Sequence, residues 1–199
     1  MSIDRQREHE TEADDDRADA ELLGRIRDAD REALHALYRK YYHPLLRFTY
    51  RLTGQLEIAQ ETVNDVMLVV WRDAASFEGR SKVATWIMGI AYRKAMKRVR
   101  RARLWSVRYI TPIDERIERF PSEEAPTERV ELEDLLDRAL EALSAEQRAV
   151  VELTYFFGCS YDEIAKIVGC PVNTVKTRMF HARAKLKSLL PRLGKDSSK

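Results

Sequence analysis

The sequence predicts an all-α protein: two small helical domains joined by a flexible acidic linker, the second containing a helix-turn-helix. Apolar residues recur at three- and four-residue spacing in most segments, the mark of helices with one buried face. Helix breakers are scarce, with 7 glycines and 6 prolines in 199 residues. No stretch sustains the period-two alternation of a half-buried strand.

Residues 1–18 are acidic, polar and poor in apolar groups, and read as a disordered tail. The first domain spans residues 19–108. Leu22, Leu23 and Ile26 form a short helix that stops near Asp28-Ala29-Asp30. A second helix runs from Arg31 to about Thr53, turning Leu34, Leu37, Tyr38, Tyr41, Leu45, Leu46, Phe48 and Leu52 mostly inward. Pro44 is a candidate kink, and Gly54 a stop. A third covers roughly Ile58 to Ala75, with Val63, Val66, Met67, Val70 and Trp71 as its core stripe. After a loop at Ser76 to Lys82, a fourth helix extends from Val83 to Arg103. Residues 109–128 hold Pro112, Pro121 and Pro126 among acids and read as a linker.

The second domain covers residues 129–193, and residues 194–199 are expected to fray. Leu132, Leu135, Leu136, Leu140 and Leu143 line its first helix. Ser144 and Gln147 form a capping box that opens the next, and Ser160 and Glu163 form another. Gly169 suits a left-handed helix end and Pro171 the first turn of the helix that follows. On that last helix Val175, Met179, Ala182 and Leu186 share one stripe. The opposite side carries Asn173, Thr174, Thr177, Phe180 and His181, flanked by Lys176, Arg178, Arg183, Lys185 and Lys187. This is the layout of a helix-turn-helix whose second helix enters a DNA major groove; an amphipathic helix pair with a solvated basic face is the plainer alternative.

The net charge of +2 conceals segregated blocks. Residues 1–20 hold eight acids against three bases, and residues 91–108 hold eight bases and no acid. Residues 113–137 swing back to ten acids against three bases, and residues 172–195 are basic again. Two basic blocks around an acidic one point to two polyanion-binding surfaces. No apolar run is long enough to span a bilayer and no signal-peptide core opens the chain, so a cytoplasmic protein without membrane insertion is expected. Cys159 and Cys170 form no CxxC pair, and His9, His35, His43 and His181 are scattered. Metal sites, cofactors and catalytic residues are accordingly not expected, nor is an enzyme of any kind.

Two features of the first domain go beyond core building. With the third helix's stripe inward, Asp65, Leu68, Val69 and Arg72 face outward, and large apolar groups beside a carboxylate suit a protein-docking patch. A neighbouring helix covering them is the alternative. The fourth helix opens with Trp86, Ile87, Ile90 and Tyr92 and then carries Arg93, Lys94, Lys97, Arg98, Arg100, Arg101 and Arg103. Cations to meet phosphates, beside aromatics on which unpaired bases stack, suit single-stranded or melting DNA. A solvated cationic helix with Trp86 in the core is the competing reading.

These residues resemble the extracytoplasmic-function group of sigma factors, bacterial initiation subunits of RNA polymerase. Asp65-Val66-x-Leu68-x-Val70-Trp71, Phe77-x-Gly79 and Thr85-Trp86-Ile87-x-x-Ile90-Ala91 are similar to the family's second region. Leu143-Ser144-x-x-Gln147-Arg148, Ser160-Tyr161-Asp162-Glu163-Ile164-Ala165, Thr174-Val175-Lys176-Thr177-Arg178 and Ala182-Arg183 are similar to its fourth. The resemblance implies core RNA polymerase and promoter DNA as partners, and an anti-sigma factor as a third. It implies that Asp65, Leu68, Val69 and Arg72 dock on the polymerase. It places Phe77, Arg80, Lys82, Trp86, Arg93, Lys97, Arg98, Arg100 and Arg101 at melted minus-ten DNA. Asn173, Thr174, Lys176, Thr177, Arg178, Phe180 and His181 would read the minus-35 duplex. Arg93 stands where relatives often carry Asn and lacks an acceptor for a flipped base. His181 stands where Arg is common and lacks the fork that reads guanine. The alternative function is a free-standing helix-turn-helix transcriptional regulator.

Overall fold

The computed structural model describes the backbone of residues 3–108 and 136–196, and side chains within residues 14–189. Every regular element among the described residues is helical. α1 spans Ile3–Arg27, α2 Arg31–Thr53, α3 Leu56–Asp73 and α4 Val83–Arg108, with one 3-10 turn at Ala74–Ser76. α5 occupies residues 136–141, followed by α6 (Ala145–Tyr155), α7 (Tyr161–Val168) and α8 (Val172–Asp196). The expected linker at 109–128, with Leu132 and Leu135, lies outside the described residues.

The largest departure is at the start. The expected disordered tail over residues 1–18 is helix from Ile3 onward, continuous with the predicted short helix. Its acids are not idle solvent charge. Asp19 is buried, accepts hydrogen bonds from the Tyr41 hydroxyl and from Lys40 Nζ (2.6 Å), and Asp15 pairs with the same lysine at 3.0 Å. Burial and then the Asp19 contact push the Tyr41 phenol well above its ordinary range. Composition sees a polar segment; pairing across helices is what lets it order. At the other end, α8 continues through Gly194 to Asp196, where fraying was expected, and residues 197–199 lie outside the described residues. α4 likewise runs five residues past the predicted Arg103. α2 continues through Pro44.

Local chemistry explains the boundaries. Asp30 caps α2 by accepting from the backbone of Glu32 (2.9 Å) and Ala33 (3.2 Å), and Arg25 grips the same carboxylate. Arg25 holds the Asp30 carboxyl below the usual aspartate range, with the backbone donors assisting. Both predicted capping boxes, Ser144 with Gln147 and Ser160 with Glu163, are present in full. Gly169 ends α7 at φ 68°, the left-handed region that residues with a side chain rarely adopt.

The first domain packs α1, α2, α3 and α4 about Leu23, Ile26, Leu37, Leu45, Phe48, Val63, Val66, Val70, Ile87 and Met96. In the second, Leu140, Val150, Leu153, Ile164, Ile167, Val175, Met179 and Ala182 are enclosed by α5 to α8. The two cores merge into one apolar cluster, α6 lying against α2 and α7 against α4. Phe48 of α2 meets Phe157 edge-on at 5.7 Å. Arg51 donates to both oxygens of the fully buried Glu152 at 3.0 Å, reaches Asp137 at 3.3 Å and lies over the Phe156 ring at 4.4 Å. Arg148 donates back to the Arg51 carbonyl.

Candidate nucleic-acid interface

α3 turns two of its four expected outward residues, Leu68 and Arg72, to solvent. Its buried stripe is Ala59, Thr62, Val63, Val66, Met67 and Val70, with Trp71 only half-buried. Leu68 is 61% exposed and Arg72 is exposed in a bidentate pair with Asp73. Val69 differs from expectation: it is half-buried and packs against the core, because its position lies at the edge of the stripe. Asp65 is half-buried and faces α4, where Arg98 reaches it at 3.1 Å and Lys94 at 3.7 Å. Arg98 also donates to Glu61 at 2.6 Å. The structure thus joins one expected polymerase-docking acid to one expected DNA-binding cation.

Between α3 and α4, Gly79 takes φ 69°, left-handed backbone that glycine adopts without strain. Phe77 and Trp86 come together across that loop, ring centroids 5.5 Å apart, both half-buried. They form an aromatic pair that is neither sealed in the core nor free in solvent. Arg80 is exposed and paired with Glu78, and Lys82 lies 4.0 Å from Glu163 of α7. Along α4, Lys97, Arg100 and Arg101 are exposed, whereas Arg98 is half-buried in its ion pairs. Arg93 is also exposed; its guanidinium folds back over Gly89, so near that a Cβ there would stand 3.2 Å away. Lys97, Arg100 and Arg101 therefore lie exposed along α4.

α8 buries Val175, Met179 and Ala182 as its spacing requires. Asn173, Lys176, Thr177, Phe180 and His181 are exposed, with Phe180 at 69% and edge-on to His181 at 5.5 Å. Thr177 is occupied in part by the Asn173 carbonyl at 2.9 Å. Thr174 is half-buried, and so is Arg178, which contacts Cys170 Sγ at 3.7 Å. Five of the seven expected duplex-reading residues consequently share the open face.

Several participants escaped sequence reasoning. The Arg51–Glu152 pair joins residues 101 apart and leaves no local signal. Arg183 donates to the exposed Tyr155 hydroxyl at 2.8 Å, fixing α8 to the end of α6; the aromatic run Tyr155-Phe156-Phe157 was a visible hint. Asp16, the backbone partner of Val83, lay in the supposed tail. Among the described residues no cluster of His, Cys, Asp or Glu could hold a metal, and no helix is long and apolar enough to cross a membrane.

Comparison with known proteins adds a second line. The sigma-70 region 2 family matches residues 37–104, and the sigma-70 region 4 family matches residues 133–186. The ECF RNA polymerase sigma factor SigM of Mycobacterium tuberculosis is 32% identical over 175 residues, 88% of this chain and 86% of that protein. The RNA polymerase sigma-H factor of Pseudomonas aeruginosa is 29% identical over 184 residues, 88% of this chain and 95% of the relative. Among solved structures, the sigma factor RpoE of Bartonella quintana, in complex with the anti-sigma factor NepR, superposes with a TM-score of 0.67. The identity is 26%, over 79% of this chain and 96% of that one.

Proposed function

We propose a division of labour for this chain, which belongs to the extracytoplasmic-function (ECF) family of RNA polymerase sigma factors and so directs core polymerase to promoters. Leu68, Val69 and Arg72, with Asp65 braced behind them, dock on the polymerase. Phe77 and Trp86 receive bases of the melted minus-ten strand, and Lys97, Arg100 and Arg101 follow its phosphates. Asn173, Lys176, Thr177, Phe180 and His181 read the minus-35 duplex in the major groove. Arg93, Arg98, Thr174 and Arg178 support these surfaces. The observation that carries this reading is the half-buried Phe77–Trp86 pair at the head of a cation-bearing helix, in a chain that also holds a helix-turn-helix.

Docking holds two weak DNA contacts at a set spacing, so each raises the effective concentration of the other. The bond-forming chemistry belongs to the polymerase. Run-off transcription tests the assignment: bare core enzyme plus this chain starts at a selected promoter, and Phe77→Ala with Trp86→Ala suppresses the start while core binding persists. Duplex binding by the free chain at full strength, with no start from core, is the result expected of a free-standing regulator instead. A protein of the anti-sigma class holds the factor silent, a reading supported by the RpoE–NepR complex. Such a partner blocks run-off transcription when added before core and spares a preassembled holoenzyme.

A further inference from the structure

The start of α4 carries a device that no local sequence signal announces. A helix leaves its first N–H groups without intrahelical acceptors, and the residue just before it ordinarily supplies one. Here that residue is Lys82, whose ammonium has donors only. The Ser81 hydroxyl is turned onto the Lys82 carbonyl at 3.3 Å, and the first turn contains no acid. The acceptor comes from another helix: Asp16 Oδ1 takes the Val83 N–H at 3.1 Å across 67 residues of sequence.

Asp16 is itself held in place. Its neighbours Asp15 and Asp19 grip Lys40, and Asp19 takes the Tyr41 hydroxyl, so three carboxylates in five residues pin α1 across α2 and α4. α1 also lies against the 3-10 turn at Ala74–Ser76, on the other side of the loop. The loop 77–82 is therefore bracketed at both ends by elements that α1 touches. Trp86 follows Val83 by one helical turn, its N–H bonded to the Lys82 carbonyl at 3.2 Å. Where α4 begins decides where Trp86 stands relative to Phe77.

We propose that Asp16 is a positioning residue for minus-ten strand capture: by capping α4 from outside, it sets the Phe77–Trp86 pair in the geometry that receives an unpaired base. The inference rests on the assignment of that pair to DNA. Asp16 touches no nucleic acid in this scheme and acts through the helix it caps.

The test uses full-length chain assembled with core polymerase on a promoter selected with the reconstituted holoenzyme. Asp16→Ala removes the acceptor; Asp16→Asn keeps an acceptor oxygen and removes the charge. Core affinity is measured by fluorescence anisotropy, and strand opening by permanganate reactivity of minus-ten thymines. Asp16→Ala is expected to lower opening about five- to tenfold, in keeping with the loss of one helix cap, at unchanged core affinity. Asp16→Asn is expected to restore most of it. On a template already unpaired at the minus-ten element, holoenzyme with Asp16→Ala still binds the labelled DNA more weakly by fluorescence anisotropy, because capture rather than melting is impaired. Normal opening by Asp16→Ala overturns the proposal, and so does equal loss of core binding and opening. So does failure of Asp16→Asn to rescue. If Phe77→Ala and Trp86→Ala also open DNA normally, the base-capture assignment falls and takes this proposal with it; if they fail to open it while Asp16→Ala succeeds, only the positioning role is refuted.

Discussion

Leu68 and the cations of α4 show how much hangs on the direction of single side chains. Leu68 is mostly exposed and touches no core, so Leu68→Glu is expected to leave the thermal unfolding midpoint unchanged and abolish copurification with core polymerase. Retained copurification would show that α3 docks through another face. Among the cations, Lys97 and Arg101 are exposed whereas Arg98 is engaged by Glu61 and Asp65. Lys97→Glu with Arg101→Glu should therefore depress promoter opening and flatten its salt dependence, with core affinity kept. Arg98→Ala should instead weaken core affinity, because Asp65 loses its brace; equal effects of the two variants on both assays would contradict this split. Cys159 offers a further check. Burial pushes its thiol up to about 12, with Glu163 adding to the effect. A raised value means that folding favours the thiol form. That contribution is whole below the ordinary cysteine range and is lost as pH climbs through about 12. Iodoacetamide should accordingly modify Cys159 slowly at neutral pH in the folded chain and rapidly in denaturant.

The helices themselves were largely legible, and their ends show why. Periodicity, two capping boxes and Gly169 located α6, α7 and α8 because each signal is local, resolved within four residues of chain. The buried stripe of α3 followed from spacing alone, while Val69 and Trp71 at its margins depended on which neighbours lean in. Ala29, between α1 and α2, is a local compromise: it sits at φ 63°, left-handed backbone that costs an L-residue about 1–2 kcal/mol. Ala29→Gly is expected to relieve part of that and raise stability by about 0.5–1 kcal/mol, the gain reduced by glycine's freedom in the unfolded chain. Chemical denaturation measures it, and a lower midpoint would show that the turn tolerates alanine without strain. α1 is not legible in the sequence, for the opposite reason. Its acids look like a solvated tail until Lys40, Tyr41 and the Val83 N–H are brought to them by the fold.

At the scale of the whole molecule, the contact between domains is built around a buried charge. Glu152 is fully buried, its carboxyl pushed up by burial and pulled down by Arg51, with burial prevailing. Folding thus favours its protonated form: that contribution is complete below the ordinary glutamate range and declines as pH rises through the raised value. Glu152→Ala leaves Arg51 only its more exposed partner Asp137 at 3.3 Å, so it should destabilise the fold, by less than the about 3–5 kcal/mol of a buried charge left with no partner, and let the domains part, seen as a larger radius of gyration in X-ray scattering. Glu152→Gln, neutral yet still an acceptor for Arg51, should cost less and keep the compact form. Similar expansion of both variants would show that the charge itself, rather than the hydrogen bond, holds the domains. The sequence alone determined helical class, the helix-turn-helix, the buried stripe of α3 and the aromatic-cationic character of α4, since each arises from residues within a turn or two of one another. Only the tertiary structure decided that α1 is ordered, that Asp65 and Arg98 belong to one ion pair and that Arg51 meets Glu152. Those contacts join residues 22 to 101 apart or bridge separate helices, and no local pattern encodes which distant partner a side chain will find.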